Sequence, residues 1–479
     1  MTKNRVFSSF IWSASERFGA QFIGIVVNIL LARLLNPEDF GILAIMVIFT
    51  NLANQLVQNG FNTSLIQNKD VTDEDYSSVF NVSMLITLGV YLVIYAVAPI
   101  IADFYNSPGL VKPLRVLALI VFPGTIQSVQ TAKLKRNLEF KKLFVLTLIS
   151  SITGGGVGIF LAFRGSGVWA LVGQQLIGSI SICIVLFYAL KWKPHMVINF
   201  QRIKILFSYG WKLLVASLLN TVYNDITGLV IGKKYNTSML AYYDKGQMFP
   251  SRMVTSINDS IQNVMLPALS QYQDEREKCK ELMRQSVKVS CYVIFPLMAG
   301  LAAVANPLVS AILTDKWLAC VPFLQLACIN YAFNPIASAN LQAMKAMGRS
   351  DIFLKLEIIK KVIGMIVLVI TVFCFESPLA IVAGTTATIP LGLFINAYPN
   401  KRIVGYSFSE QMKDILPSLL LSLQMFAIVY VVSYIHLNNI ILLIVQMGVG
   451  VAVYILSSKI FHVESFDLLL NIIKSYLKK

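Results

Sequence analysis

Charge is what this sequence has least of. Only 13% of its 479 residues are Asp, Glu, Lys or Arg, where a soluble globular domain carries about 25%. That shortage excludes a large water-facing surface, and with it a sizeable soluble catalytic domain. Histidine is scarcer still. The three present, His195, His436 and His462, lie too far apart in the chain to read as a metal site. The six cysteines, Cys183, Cys279, Cys291, Cys320, Cys328 and Cys374, are scattered mostly within apolar runs and form no C-x-x-C pair. They read as small packing residues rather than disulfides or metal ligands. A phosphate-binding loop is also missing. Gly228-Leu-Val-Ile-Gly232-Lys233-Lys234 is one residue short of a P-loop between its glycines, and no Ser or Thr follows the lysines. The loops offer no catalytic constellation either, so the chain is expected neither to hydrolyse ATP nor to be an enzyme.

What the chain does have is apolar length: 56% of its residues are hydrophobic, and the mean hydropathy is +0.69. A membrane helix needs roughly 20 such residues, and about 14 segments meet that need. Their approximate spans are 8–33, 40–61, 78–103, 111–132, 143–163, 167–190, 205–232, 239–268, 286–313, 317–344, 354–374, 378–399, 415–435 and 439–460. The expected fold class is therefore an all-α integral membrane protein. Lys3 and Arg5 followed by apolar residues resemble a signal peptide, but Glu16 and Arg17 interrupt the run. The segment is expected to stay as the first membrane helix. The charged stretch 270–285 reads as a solvated cytoplasmic connection.

The net charge of +16 would suggest nucleic acid for a soluble protein; here its placement points to topology instead. Lys133, Lys135, Arg136, Lys141 and Lys142 share one connection, and Lys191, Lys193, Arg202 and Lys204 share the next but one. The turn between them, around Arg164-Gly165-Ser166-Gly167, carries one cation. This alternation is the positive-inside pattern of a multi-pass protein with both termini in the cytoplasm. No nucleic-acid partner is expected; the basic connections face the bilayer's anionic headgroups.

A weak internal repeat runs through the chain. Phe7-Ser8, Arg33 and Asn36 match Phe207-Ser208, Lys233 and Asn236; Gln58-Asn59 matches Gln262-Asn263; Pro123, Gln130 and Lys133 match Pro335, Gln342 and Lys345. The order is conserved along the chain while the spacing drifts slowly in one direction. The implied organisation is an N-terminal six-helix lobe at 1–204, a second six-helix lobe at 205–400, and two additional membrane helices with a cytoplasmic tail at 401–479. Repeats with an even number of helices are related by an axis along the membrane normal, and transporters built this way bind substrate at the repeat interface.

Polar groups inside membrane spans are costly, so each is a functional candidate. The second span carries Asn51, Gln55, Gln58 and Asn59, and the eighth carries Arg252, Thr255, Asp259, Gln262 and Asn263. Both sets recur at three and four residues and so form one stripe along one helix face. The first span adds Ser13, Arg17, Gln21 and Asn28, and the seventh adds Lys212, Asn220, Tyr223, Asn224 and Asp225. Together they suggest the walls of a water-filled cleft with a cationic ladder, suited to an anionic headgroup that Arg grips bidentately and Lys meets as a point charge. The substrate-binding candidates are Arg17, Gln21, Asn51, Gln55, Gln58, Asn59, Lys212, Asn220, Asn224, Arg252, Gln262 and Asn263. Glu16, Asp225 and Asp259 read either as ion pairs locking helices together or as sites coupling transport to an ion. No metal or organic cofactor is expected; a coupling ion, H+ or Na+, stays open. Gly154-Gly155-Gly156 with Gly158 lies in an apolar span and reads as a close-packing surface.

Several stretches resemble the oligosaccharide flippases of the polysaccharide transport family, within the multidrug/oligosaccharidyl-lipid/polysaccharide exporter superfamily. They are Ile29-Leu-Leu-Ala-Arg33-Leu-Leu-Asn-Pro37-Glu-Asp-Phe-Gly41, Leu65-Ile-Gln-Asn-Lys-Asp70, Phe140-Lys-Lys-Leu143, Gly167-Val-Trp-Ala-Leu171, Pro267-Ala-Leu-Ser270 and Gly348-Arg-Ser-Asp351. The resemblance implies two helical lobes around a cavity that opens alternately to each side. It implies a polyprenyl-diphosphate-linked oligosaccharide as substrate, moved from the inner to the outer leaflet of the bacterial cytoplasmic membrane for O-antigen, capsule or exopolysaccharide. Polysaccharide polymerase and glycosyltransferases would be its protein partners. Three alternatives stay open. Multidrug efflux in the same superfamily would favour acidic and aromatic cleft residues over the bases found here. A flippase for the peptidoglycan precursor would share the fold. A membrane-embedded glycan polymerase would need a longer external loop than any present.

Overall fold

The computed structural model describes residues 19, 21–67, 72–136, 139–190, 194–435 and 437–477. Glu16 and Arg17 lie outside the described residues, as do the side chains of Asn59, Lys212 and Asn263. Every regular element among the described residues is helical, as a bilayer requires of a chain that must satisfy its own backbone. In chain order the helices are α1 (Gln21–Leu34), α2 (Pro37–Gln67), α3 (Asp73–Phe104), α4 (Val111–Leu117), α5 (Val121–Arg136), α6 (Phe140–Phe163) and α7 (Val168–Leu190). Next come α8 (Phe200–Lys234), α9 (Thr237–Gln271), α10 (Arg276–Ala303), α11 (Ala305–Leu313), α12 (Val321–Ala332), α13 (Asn334–Ala346) and α14 (Ser350–Cys374). The last are α15 (Pro378–Ala387), α16 (Ile389–Ala397), α17 (Asn400–Ile403), α18 (Phe408–Val432), α19 (Asn439–Ile460) and α20 (Glu464–Leu477).

Among the described residues, 11 helical stretches are long and apolar enough to cross a membrane. The sequence reading of about 14 differs at three places. Only Gln21–Leu34 of the first span is described as an apolar helix. α9 carries Asp244, Lys245, Arg252 and Asp259, and α14 carries Lys355, Glu357, Lys360 and Lys361, so neither is apolar throughout. Exposed Leu85, Leu88 and Leu92 on α3 and Ile444, Met447 and Val451 on α19 would be an aggregation surface in water; in a bilayer they meet hydrocarbon.

Chain contacts group the residues into two compact units, 1–241 and 242–479. Within the first unit, α6 lies against α7 through glycines. A Cβ on Gly154 would sit 2.5 Å from the Gln174 carbonyl oxygen, and one on Gly158 2.8 Å from Gln174 Cβ. The glycine run is thus a close-packing surface. Within the second unit, α10 packs on α18 around Tyr292, Leu421, Met425 and Val429, with Tyr454 of α19 joining the same cluster.

The connection in the 270–285 region is only 272–275, with Asp274 and Glu275; the rest of its charge is on α10, because α9 extends to Gln271 and α10 starts at Arg276. Lys280, Arg284 and Lys288 follow one another at four-residue spacing and so share a face of α10. On α18, Glu410 accepts from Lys280 at 2.8 Å, and Asp414 accepts from Arg284 through two bonds of 2.7 Å each. Lys288 lies 3.4 Å from Asp414 and 2.6 Å from Glu464 at the start of α20. Tyr406 donates its hydroxyl to Asp414 at 2.8 Å.

The stretches that carried the family resemblance sit where helices begin and end. Pro37 opens α2, where its missing N–H is unneeded, and the Asn36 N–H donates to the Asp39 carboxylate at 3.2 Å. Its repeat partner Asn236 holds the same place before α9, its side chain accepting from the Met239 N–H at 2.8 Å. Gly41, one turn into α2, passes the first residue of α9 so closely that a Cβ would lie 1.8 Å from the Thr237 carbonyl oxygen. Gly348, with φ +70°, ends α13, a conformation glycine adopts without strain.

Candidate functional site

α2 and α8 pack against each other in the first unit, and each turns a polar stripe to the other. On α2 the stripe is Asn51, Asn54, Gln55 and Gln58; on α8 it is Ser217, Thr221, Asn224 and Asp225. The spacings of three, four and seven or eight residues place each set on one face. Asn51, Asn54, Gln55, Gln58, Thr221, Asn224 and Asp225 line one open pocket of about 320 Å3.

Gln55 spends both ends of its amide on the opposite helix. Its Nε2 donates to Thr221 Oγ1 and its Oε1 accepts from Ser217 Oγ, each at 2.5 Å. Gln58 donates to Asn54 Oδ1 at 3.1 Å, which aligns the two amides on one wall. Gly124 of α5 backs them, since a Cβ there would come within 2.7 Å of Asn54 Oδ1 and 2.9 Å of Gln58 Nε2. Asn51 and Asn224 are exposed, and among the described residues their side chains have no hydrogen-bond partner.

Asn51 lies near the centre of α2, and Asn224 lies near the centre of the apolar stretch Leu214–Lys234. An amide facing hydrocarbon at such depth would cost several kcal/mol. The pocket wall therefore faces water or a polar ligand. Its lining holds one charged side chain among the described residues, the half-buried Asp225.

The structure thus brings together Asn51, Gln55, Gln58, Asn224 and Asp225 from the sequence candidates. Asn54, Ser217 and Thr221 belong with them and were not singled out, although the same spacing marks them. Asn220 is exposed on α8 outside the pocket lining, and Gln21 lies partly buried on α1.

The α9 candidates belong to the second unit. Gln262 accepts from Gln342 Nε2 at 2.7 Å and donates to Ser338 Oγ at 3.3 Å, while Asn258 donates to Ser338 at 2.8 Å. These residues hold α9 to α13, as interhelical polar groups commonly do in membranes. Arg252, in contrast, is exposed near the centre of α9 and makes no ion pair among the described residues. Thr255 is exposed and Asp259 partly buried on the same face. Pro250 stands two residues before Arg252 within the helix, where it removes one backbone hydrogen bond.

Fold and pocket define a multi-pass helical membrane protein with a wet polar wall inside the bilayer. The fold is shared with the Lipid II flippase MurJ in its inward closed conformation, at a TM-score of 0.75 and 18% identity, covering 94% of this chain and 99% of that one. The chain belongs to the polysaccharide biosynthesis protein family, whose model matches residues 30–322. It is 25% identical over 350 residues to the teichuronic acid biosynthesis protein TuaB of Bacillus subtilis, covering 73% of this chain and 72% of TuaB. It is 23% identical over 341 residues to the succinoglycan biosynthesis transport protein ExoT of Rhizobium meliloti, covering 71% of this chain and 69% of ExoT.

Proposed function

We propose that this protein translocates a polyprenyl-diphosphate-linked oligosaccharide from the cytoplasmic to the outer leaflet of the bacterial cytoplasmic membrane, supplying surface polysaccharide synthesis. The observation that carries this reading is the exposed amide pair Asn51 and Asn224 deep within membrane helices, which hydrocarbon would not tolerate and a hydrated cargo path would use. Membership of the polysaccharide biosynthesis family and the shared fold of a lipid II flippase support the same class of cargo.

In this reading the chain works by alternating access, with both termini in the cytoplasm and the prenyl tail left in the bilayer. Arg252 meets the diphosphate; Arg is suited to this by its paired donors and its permanent charge. Asp225, Asp259 and Glu16 are the acids at which an ion gradient, of H+ or Na+, would couple. In this reading the helices after 401 are accessory.

Deleting the gene in its host and extracting the lipids tests the proposal. Lipid-linked oligosaccharide should accumulate while surface polymer disappears. An unchanged lipid-linked pool with unchanged polymer refutes it. An Arg252→Ala chain expressed in the deletion strain should insert normally but restore export at least about tenfold less well, the equivalent of about 1.4 kcal/mol. Full restoration by that variant would remove Arg252 from the cargo path.

A further inference from the structure

The α2–α8 pocket has a chemistry unlike that of a diphosphate site, and we infer that it is the saccharide subsite, separate from the place where the diphosphate is held. The inference rests on the flippase reading above and assigns one part of the cargo to one wall.

A diphosphate offers only acceptors and negative charge, and it calls for Arg, Lys or backbone N–H groups. Amides bring a different pattern. Each carboxamide has two N–H donors and a carbonyl acceptor with two lone pairs, and each sugar hydroxyl is a donor and an acceptor at once. The described lining consists of five amides, one hydroxyl and one carboxylate, with no base among them.

The pocket is also organised in advance. Gln55 is fully used in joining α2 to α8, so it is a positioning residue rather than a contact. The Gln58–Asn54 bond fixes two amides in register and leaves Gln58 Oε1 and Asn54 Nδ2 to face a ligand. Asn51 and Asn224 present complete amides from the two walls. The volume of about 320 Å3 is at the lower end of small-molecule sites, which run to about 1,000 Å3. It admits a mono- or disaccharide, not a whole lipid-linked repeat unit. Amides also recognise hydroxyls directionally, so a sugar whose hydroxyls do not match the set makes fewer of these bonds than one whose hydroxyls do.

The test uses the full-length protein in proteoliposomes, with labelled lipid-linked oligosaccharide taken from the deletion strain as the bound probe. Two competitors are added separately: the free repeat-unit oligosaccharide released from the host's polymer by hydrolysis, and inorganic pyrophosphate. Both should displace the probe from the natural protein. From the Asn51→Ala/Asn224→Ala double variant, pyrophosphate should still displace it, and this retained binding shows that the variant is folded. The oligosaccharide should need at least about tenfold higher concentration, matching a loss of about 1.4 kcal/mol. The inference is overturned if the oligosaccharide competes equally well for both proteins, if it fails to compete for the natural protein, or if the double variant loses pyrophosphate competition instead. Absence of any probe binding to the natural protein would be a different failure, that of the flippase reading itself.

Discussion

Replacing Gly41 by alanine should leave little folded protein in the membrane. The new methyl group would lie 1.8 Å from the carbonyl oxygen of Thr237 and 2.4 Å from its carbonyl carbon. Backbone meets backbone there, so no side chain can rotate away. α2 would have to shift against the first turn of α9, within a unit where α2 also packs on α3, α5 and α8. Overpacking of a core by one methylene typically costs about 1–3 kcal/mol, and this contact should reach at least the upper end. Glycine at position 156 is the control. A Cβ there meets nothing within 4 Å, so Gly156→Ala gains helix propensity of up to about 1 kcal/mol and should be neutral or mildly stabilising. Size-exclusion profiles and thermal melts of the two purified variants check both expectations. A Gly41→Ala protein that melts like the natural one would mean that α2 and α9 yield far more easily than their contact implies.

Asp414→Ala should be the other severe change. The carboxylate side chain is only 5% exposed. It receives two bonds from Arg284 and one from Tyr406, and lies 3.4 Å from the equally buried Lys288. Removing the acid leaves Lys288 with Glu464 alone, whose side chain is 69% exposed and so well screened. Breaking a buried pair from one side costs about 3–5 kcal/mol, whereas replacing both partners by apolar groups is often neutral. The melting temperature of Asp414→Ala should therefore fall sharply, and the double variant Asp414→Leu/Lys288→Met should recover part of the loss, the buried Tyr406 hydroxyl staying unpaired. Equal melting of the single variant and the natural protein would show that this charge lattice carries no stability.

The helical class and most membrane crossings were legible in the sequence, because apolar length is a direct physical demand of the bilayer. Interruptions within crossings were not. One-residue breaks occur at Val304, Phe333 and Thr388, each followed within three positions by a proline, Pro307, Pro335 or Pro390. Hydropathy averaged over a span cannot register a break that short. The pocket was half legible. Asparagine and glutamine stand out in an apolar run, so Asn51, Gln55, Gln58 and Asn224 were seen. Ser217 and Thr221 were not, because in membrane helices small hydroxyls usually satisfy themselves on the carbonyl one turn back, as Thr147 and Thr371 do here. Gln262 matched Gln58 by repeat spacing, yet the structure gives it to α13. The two glutamines do different work because α5 presents a glycine to Gln58 where α13 presents a serine and a glutamine to Gln262.

Gln55 also bears on how cargo would be let go. With both amide ends committed to α8, it makes the two halves of the pocket wall a single block that cannot be parted without stranding an amide and two hydroxyls. A carrier whose grip does not open must release its load by dilution, as water on the far side competes for each hydroxyl. Affinity at this wall would then set the pace of unloading, and a weaker pocket would deliver common sugars faster while telling them apart less well.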